Sequence, residues 1–245
     1  MIEARELRKA FGATQAVDGV SFIARDGQIT GLLGANGAGK TTTLRLLYTL
    51  MQPDAGQVLV DGLDAGREPL AVRRRLGVLP DARGLYRRLT ARENIAYFAA
   101  LQGLDAHAAA ARIELLLDTL SMHDIADRRA EGFSQGERLK TALARALVHD
   151  PRNVLLDEPT NGLDVMATRS LREFLRGLAA EGRCVLFSTH VMQEVAALCD
   201  RIVIIGRGRV VADGTPDALR AQAHEQSLEE AFVKLIGTAV LEGMA

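Results

Sequence analysis

Gly34-Ala35-Asn36-Gly37-Ala38-Gly39-Lys40-Thr41 is the stretch from which the fold can be read. It completes the pattern G-x-x-x-x-G-K-[ST]. A largely apolar run, Ile29 to Leu33, precedes it, and a helix-like stretch over residues 41–51 follows. That setting is strand, tight turn, helix. Glycines let successive backbone N–H groups converge, and the helix N-terminus adds the positive end of its dipole. Such a loop cradles phosphates. Lys40 would reach the β- and γ-phosphates of a nucleotide, and the Thr41 hydroxyl would ligate Mg²⁺. The phosphate-binding assignment runs from Gly34 through Thr42.

Composition supports a compact chain. Its 245 residues suffice for one large domain or two lobes with a sizeable core. Thirty basic and 31 acidic residues leave a formal charge of -1, so bulk charge gives no reason to expect a nucleic-acid partner. Cys184 and Cys199 lack metal-ligand spacing and read as small buried hydrophobes, compatible with a reducing compartment. No stretch reaches the roughly 18 apolar residues needed to span a bilayer. Met1-Ile2-Glu3-Ala4-Arg5 also lacks the apolar core of a signal peptide. If the protein serves a membrane, another chain is expected to do the crossing.

The first sixty residues read as strands and turns. Val20 to Ala24 alternates, Asp26-Gly27 turns, and Val58-Leu59-Val60 precedes Asp61-Gly62. From Thr90 the texture becomes helical. Thr90-Ala91-Arg92-Glu93 is a capping box, and Ile95, Phe98, Ala99 and Leu101 are expected on one buried face. Residues 106–120 form a second helix pattern with Leu115, Leu116 and Leu120 grouped. Strand patterns return at 153–156, 183–187 and 201–205, separated by helix patterns. This alternation predicts an α/β fold with a parallel sheet and crossover helices, interrupted by a helical insertion.

Val154-Leu155-Leu156-Asp157-Glu158-Pro159 carries the second piece of chemistry. A buried strand ends in two adjacent carboxylates, at the edge where doubly wound sheets place ligands. Side chains alternate along a strand, so the two acids are expected to point apart. Asp157 would hold Mg²⁺, directly or through water, and Glu158 would act as general base on the attacking water.

A third element lies shortly before those acids. Phe133-Ser134-Gln135-Gly136-Glu137 opens a helical run and resembles the L-S-G-G-Q signature of ATP-binding cassette (ABC) ATPases. Asn161-Gly162-Leu163-Asp164 resembles the family's D-loop, and Ser188-Thr189-His190 its switch histidine. Phe11 stands where the family keeps an aromatic residue that stacks on adenine. These elements follow the family's order, and the resemblance covers residues 2–220.

The resemblance implies a P-loop NTPase fold with a RecA-like α/β core, an antiparallel β lobe and an α-helical subdomain. Residues 1–89 and 148–220 would form the core with its β lobe, 90–147 the helical subdomain, and 221–245 a C-terminal extension. It also implies an ATP-hydrolysing subunit of a membrane transporter. Two copies would face head to tail and trap ATP and Mg²⁺, with Ser134, Gln135, Gly136 and Glu137 of one copy meeting the phosphate loop of the other. His190 would contact the γ-phosphate, and Asp164 would link the two sites. A separate transmembrane permease would dock near residues 81–89, with Tyr86, Arg87 and Arg88 as candidate contacts or as a solvated basic turn. The chain would then sit peripherally on the cytoplasmic face of the inner membrane.

Two elements depart from the family pattern. Asp81 stands where the Q-loop glutamine is usual; as a carboxylate it can ligate Mg²⁺ but cannot donate to the lytic water. Gln135 replaces a glycine, and Glu137 replaces the final glutamine. The stretch over residues 77–90 looks like the sodium-export, NatA-type branch. Ser227 to Phe232 resembles the end of many export-type subunits. Cargo stays open among sodium, a drug, a lipid and a polysaccharide. Three functions compete: transporter motor, non-transport ABC ATPase on DNA or ribosomes, and ATP-gated dimerisation module with weak hydrolysis. Neither a coiled-coil insertion nor a second cassette is present, which favours the first.

Overall fold

The computed structural model describes residues 1–81 and 84–242. Ala82 and Arg83, inside the expected docking segment, and 243–245, at the end of the expected C-terminal extension, lie outside the described residues. In chain order come β1 (Ile2–Phe11), β2 (Thr14–Ala24), β3 (Ile29–Leu33), α1 (Lys40–Leu47), β4 (Ala55–Val60), β5 (Leu63–Asp64), α2 (Pro69–Arg73) and β6 (Leu76–Leu79). Three longer helices follow, α3 (Ala91–Leu101), α4 (Ala106–Thr119) and α5 (Gln135–Leu147). The chain then alternates through β7 (Asn153–Asp157), α6 (Val165–Ala180), β8 (Cys184–Thr189), α7 (Met192–Leu198) and β9 (Arg201–Gly206). It closes with β10 (Arg209–Gly214), α8 (Pro216–Ala223) and α9 (Leu228–Glu242).

Two sheets result. One is antiparallel, in the order β2-β1-β4-β5. The other runs β10-β9-β3-β8-β7-β6, parallel except for β10 at its edge. The expected parallel sheet is therefore present. Its strands are buried on both faces, and strand periodicity divides the core accordingly. Leu155, Leu186 and Val203 join the apolar cluster shared with α1 and the antiparallel sheet. Their neighbours Val154, Leu156, Val185, Phe187, Ile202 and Ile204 face the cluster that continues into α3, α4, α5 and α6.

Local chemistry explains the ends of elements. Asp61 and Gly62 both take left-handed φ, 48° and 81°, which turns β4 into β5. The helix expected over 41–51 stops at Leu47, because Thr49 is left-handed at φ 61°. The Thr90 capping box is formed in both directions. Ile95 and Ala99 are buried as expected, but Leu101 is 64% exposed. Six residues beyond Ile95, at about 3.6 per turn, is well round the helix. Leu115 is exposed for the same reason, while Leu116 and Leu120 face inward. Both cysteines are free and buried.

Asn94 shapes the segment leading into α3. Buried there, it donates from Nδ2 to the carbonyls of Tyr86, Leu89 and Thr90 and accepts the Tyr86 N–H at Oδ1. Asn94→Ala leaves the Tyr86 N–H without its partner, while the three carbonyls keep backbone donors from Leu89, Ala130 and residue 94. We expect a loss of about 1–3 kcal/mol, measured by urea unfolding.

Candidate functional site

Parallel pairing aligns three strand ends. Leu33 of β3 is level with Thr189 of β8 on one side and Ile204 of β9 on the other, and Asp157 of β7 lies opposite Ser188. The loop of residues 34–39, the paired acids and His190 all leave the sheet from this one edge.

The loop is pressed against its neighbours. A Cβ on Gly34 would stand 2.4 Å from the Ile205 carbonyl oxygen. One on Gly39, at φ 105°, would stand 2.4 Å from that of Ala16. Glycine alone tolerates both constraints. The Gly208 N–H donates to the Ala38 carbonyl at 2.9 Å, and the Asp18 N–H to that of Gly208 at 2.7 Å, tying the loop to the β9–β10 turn and β2. Helix α1 starts at Lys40 with no side-chain cap and no acid in its first turn. Its leading N–H groups lack intrahelical acceptors and aim, with the dipole, into the cleft. That is an anion site by construction.

Lys40 is only 5% exposed. Its Nζ donates to the Gly34 carbonyl at 2.9 Å and the Ala35 carbonyl at 3.2 Å, and lies 3.5 Å from Glu158 Oε1. Glu158 reaches it through a backbone kink. At φ 47° it leaves the strand conformation, a strain characteristic of functional positions. Its N–H donates to Ser188 Oγ at 3.0 Å. The other carboxylate oxygen, Oε2, lies 2.9 Å from His190 Nδ1; an ionised carboxylate only accepts, so Nδ1–H donates. The expected divergence of the two acids is present, produced by this kink as well as by alternation.

Asp157 is buried. Its Oδ1 accepts from Ser188 Oγ at 2.6 Å and from Thr41 Oγ1 at 3.2 Å. Burial pushes its carboxyl above the ordinary range, the charges of Asp81 and Glu158 push the same way, and the two hydroxyl donors oppose them. Asp81 faces the same cleft, of about 340 Å³, with Asn36, Gly37, Gly39, Lys40, Thr41, Thr42, Glu158 and His190. The hydroxyl of Thr41 beside the Asp157 carboxylate is a hard-oxygen pair suited to Mg²⁺. Among the described residues no cluster of three or more His, Cys, Asp or Glu side chains could hold a metal alone. A cation here needs phosphate and water ligands as well.

Several expected residues stand apart from the cleft. Phe11 is 48% exposed at the end of β1 and does not line it. Ser134, Gln135, Gly136 and Glu137 start α5, also outside it. Glu137 Oε2 accepts the Ser134 N–H at 2.7 Å, Oε1 accepts Arg128 Nη1 at 2.7 Å, and the Glu137 N–H donates to Ser134 Oγ at 3.2 Å. The Ser134 backbone hydrogen bond, helped by Arg128, holds the Glu137 carboxyl below its ordinary range. Asp164 caps α6 by accepting the Ala167 N–H at 2.7 Å. Ser188, Asn161 and Ala16 are the residues that sequence reasoning did not assign to the site, although Asn161 lies in the stretch read as the D-loop. Ser188 carried a signal, as the residue before Thr189-His190; Ala16 carried none.

Comparison with known proteins is consistent in kind. The family described as "ABC transporter" matches residues 17–161. The ABC transporter ATP-binding protein NatA of Bacillus subtilis is 44% identical over 220 residues, covering 89% of each chain. The Nod factor export ATP-binding protein I of Burkholderia lata is 42% identical over 218 residues, covering 89% of this chain and 72% of that one. A solved ATP-binding subunit of an ABC transporter superposes with a TM-score of 0.88 at 31% identity, covering 96% of this chain and 99% of the other.

Asp157 gives a signed prediction. Because its folded-state pKa is raised, ionising it opposes folding at any pH above the ordinary carboxylate range, and the penalty is relieved as pH falls back into that range. At pH 7 the penalty is present. Asp157→Asn should therefore raise the melting temperature of the nucleotide-free chain, by roughly 2–4 °C per kcal/mol relieved. It should also reduce the further rise produced by ATP with Mg²⁺. One thermal-shift titration reads both quantities.

Proposed function

We propose a residue-level mechanism for this chain, which belongs to the ABC transporter family and is the ATP-binding, ATP-hydrolysing motor subunit of an exporter-type transporter. The observation that carries it is the Lys40–Glu158–His190 chain of contacts. Before nucleotide arrives, Glu158 divides its carboxylate between the buried ammonium and the imidazole. The phosphates of ATP bring Lys40 a denser negative charge. One Glu158 oxygen is then released to take a proton from water, while His190 Nδ1–H holds the other. The water oxygen attacks the γ-phosphorus as the bond to ADP breaks, and the proton ends on Glu158. Ser188 Oγ keeps the left-handed turn of Glu158 in place by accepting the Glu158 N–H.

Thr41 and Asp157 would hold Mg²⁺, with Asp81 facing them across the cleft. Bound there, the cation supplies electrostatic stabilisation of the β- and γ-phosphate oxygens. The phosphate loop from Gly34 to Thr42 holds the phosphates, and Phe11, exposed at the end of β1, would stack on adenine.

The partner is a second copy of the chain. Ser134 Oγ accepts the Glu137 N–H and keeps its own proton, so it can donate to the γ-phosphate held by the partner. Gly136 leaves the start of α5 unobstructed, with Gln135 and Asp164 at the same junction. Pairing with Arg128 and the Ser134 N–H directs the Glu137 charge away from that phosphate. No helix among the described residues is long and apolar enough to cross a membrane. The transmembrane path would belong to a permease seated near residues 81–89, with Tyr86, Arg87 and Arg88 in contact, which puts this chain peripherally on the cytoplasmic face. Residues 1–220 act as one ATPase domain, with 90–147 as its helical subdomain and 221–245 as an extension.

Glu158→Gln is nearly isosteric but removes the base. Hydrolysis should fall by two orders of magnitude or more, on the scale of about 10²–10⁴ for general-base loss, while ATP binding persists. Sedimentation of that variant with Mg-ATP should show a dimer; a monomer at micromolar concentration counts against the head-to-tail arrangement. Asp81→Gln should leave turnover equal or faster with a higher Mg²⁺ requirement, because it removes a negative charge beside Asp157 and restores an N–H donor. Superimposed curves of rate against Mg²⁺ for the two proteins would make Asp81 a bystander.

A further inference from the structure

Glu194 is a buried carboxylate that the proposed mechanism leaves unused. It is 6% exposed, in the first turn of α7. A carboxylate there costs free energy unless it is hydrogen-bonded, and an apolar residue would fill the place more cheaply. Its position three residues after the N-cap, Val191, suits a bond back to the Val191 N–H. The structure has a different arrangement. Glu194 Oε2 accepts the Thr189 hydroxyl at 2.8 Å, Thr189 Oγ1 accepts the Val191 N–H at 3.0 Å, and the Glu194 N–H donates to the Val191 carbonyl at 3.2 Å.

These three bonds form a closed ring around residue 190. Thr189 is itself buried at the last position of β8, in register with Leu33. The ring therefore anchors the backbone on both sides of His190 to the sheet edge that carries the phosphate loop. His190 contributes no bond to the ring. Its exposed imidazole is left with the contact to Glu158 Oε2.

We propose that Thr189 and Glu194 are positioning residues that hold His190 Nδ1 on the Glu158 carboxylate. This rests on the reading that His190 and Glu158 act together in hydrolysis. Helix α7 gains nothing from the arrangement that a shorter capping side chain would not supply. What the ring adds is a fixed backbone at 189 and 191, and hence a fixed starting point for the imidazole. A carboxylate is suited to this because it stays an acceptor and so commits the Thr189 hydroxyl to donate. That leaves the hydroxyl's lone pairs for the Val191 N–H.

The test is a double-mutant cycle on steady-state ATP hydrolysis by the full chain. Thr189→Val and Glu194→Ala should each lower kcat roughly tenfold, with KM for Mg-ATP changed less than about twofold. Thr189→Ser and Glu194→Gln preserve the hydroxyl and an acceptor, and should recover most of the rate. In a His190→Ala background, Thr189→Val should cost nothing further. An equal loss in both backgrounds, or no loss in either, overturns the proposal. Should Thr189→Val fail to fold, Glu194→Ala completes the same cycle. If His190→Ala alone keeps full kcat, the reading of the His190–Glu158 pair has failed, and the positioning role falls with it.

Discussion

A buried ammonium sets the terms for this structure. Lys40 is almost fully removed from water, and a bare charge there would cost several kcal/mol. Two carbonyls of the loop it belongs to satisfy part of its hydration. Its counter-charge comes from Glu158, the residue just beyond the end of β7. The carboxylate can reach only because the backbone at 158 turns left-handed, and that turn is held by Ser188 on a third strand. One charge thus requires three parallel strands to end at the same level, and the register of β3, β8 and β7 provides it. The sheet order is what makes the site affordable.

The same requirement explains the crowding of acids. Asp81 and Glu158 line the small cleft, Asp157 is buried against its Thr41, and burial together with the charges of the other two acids disfavours the ionised form of Asp157. A site built only for stability would not gather them. Positive charge, in the form of Lys40, a helix N-terminus and the proposed cation, offsets what disfavours the Asp157 carboxylate. Under the proposed function, the fold keeps Asp157 in place for a polyphosphate and its metal at some cost to the nucleotide-free chain.

Much of this was legible in the sequence because it is local. The phosphate loop, the apolar strands and the Thr90 capping box each depend on residues within a few positions of one another. What was not legible depends on register and rotation. Nothing in Glu158-Pro159 signals a left-handed φ, and the pairing of Asp157 with Ser188 is set by how β7 aligns with β8. Leu101 and Leu115 look apolar enough to be buried, yet helix phase turns them outward. Phe11 belongs to the same class: its position in the chain is clear, but its relation to the cleft depends on how β1 ends.

The altered signature shows how a chemical departure can have a local physical answer. In the sequence, Glu137 adds a negative charge at a helix proposed to meet phosphate. In the fold it is the third residue of α5, where a carboxylate can reach back to the Ser134 N–H while Ser134 Oγ accepts its own. Arg128 then takes the remaining oxygen. A glutamine at that position could make the backbone contact but could not pair with Arg128, so the charge and its partner belong together. The acid stabilises the start of the helix through its dipole and its hydrogen bonds. In doing so it occupies both oxygens on its own chain, leaving the Ser134 hydroxyl and the unobstructed backbone at Gly136 as the groups this helix presents outward.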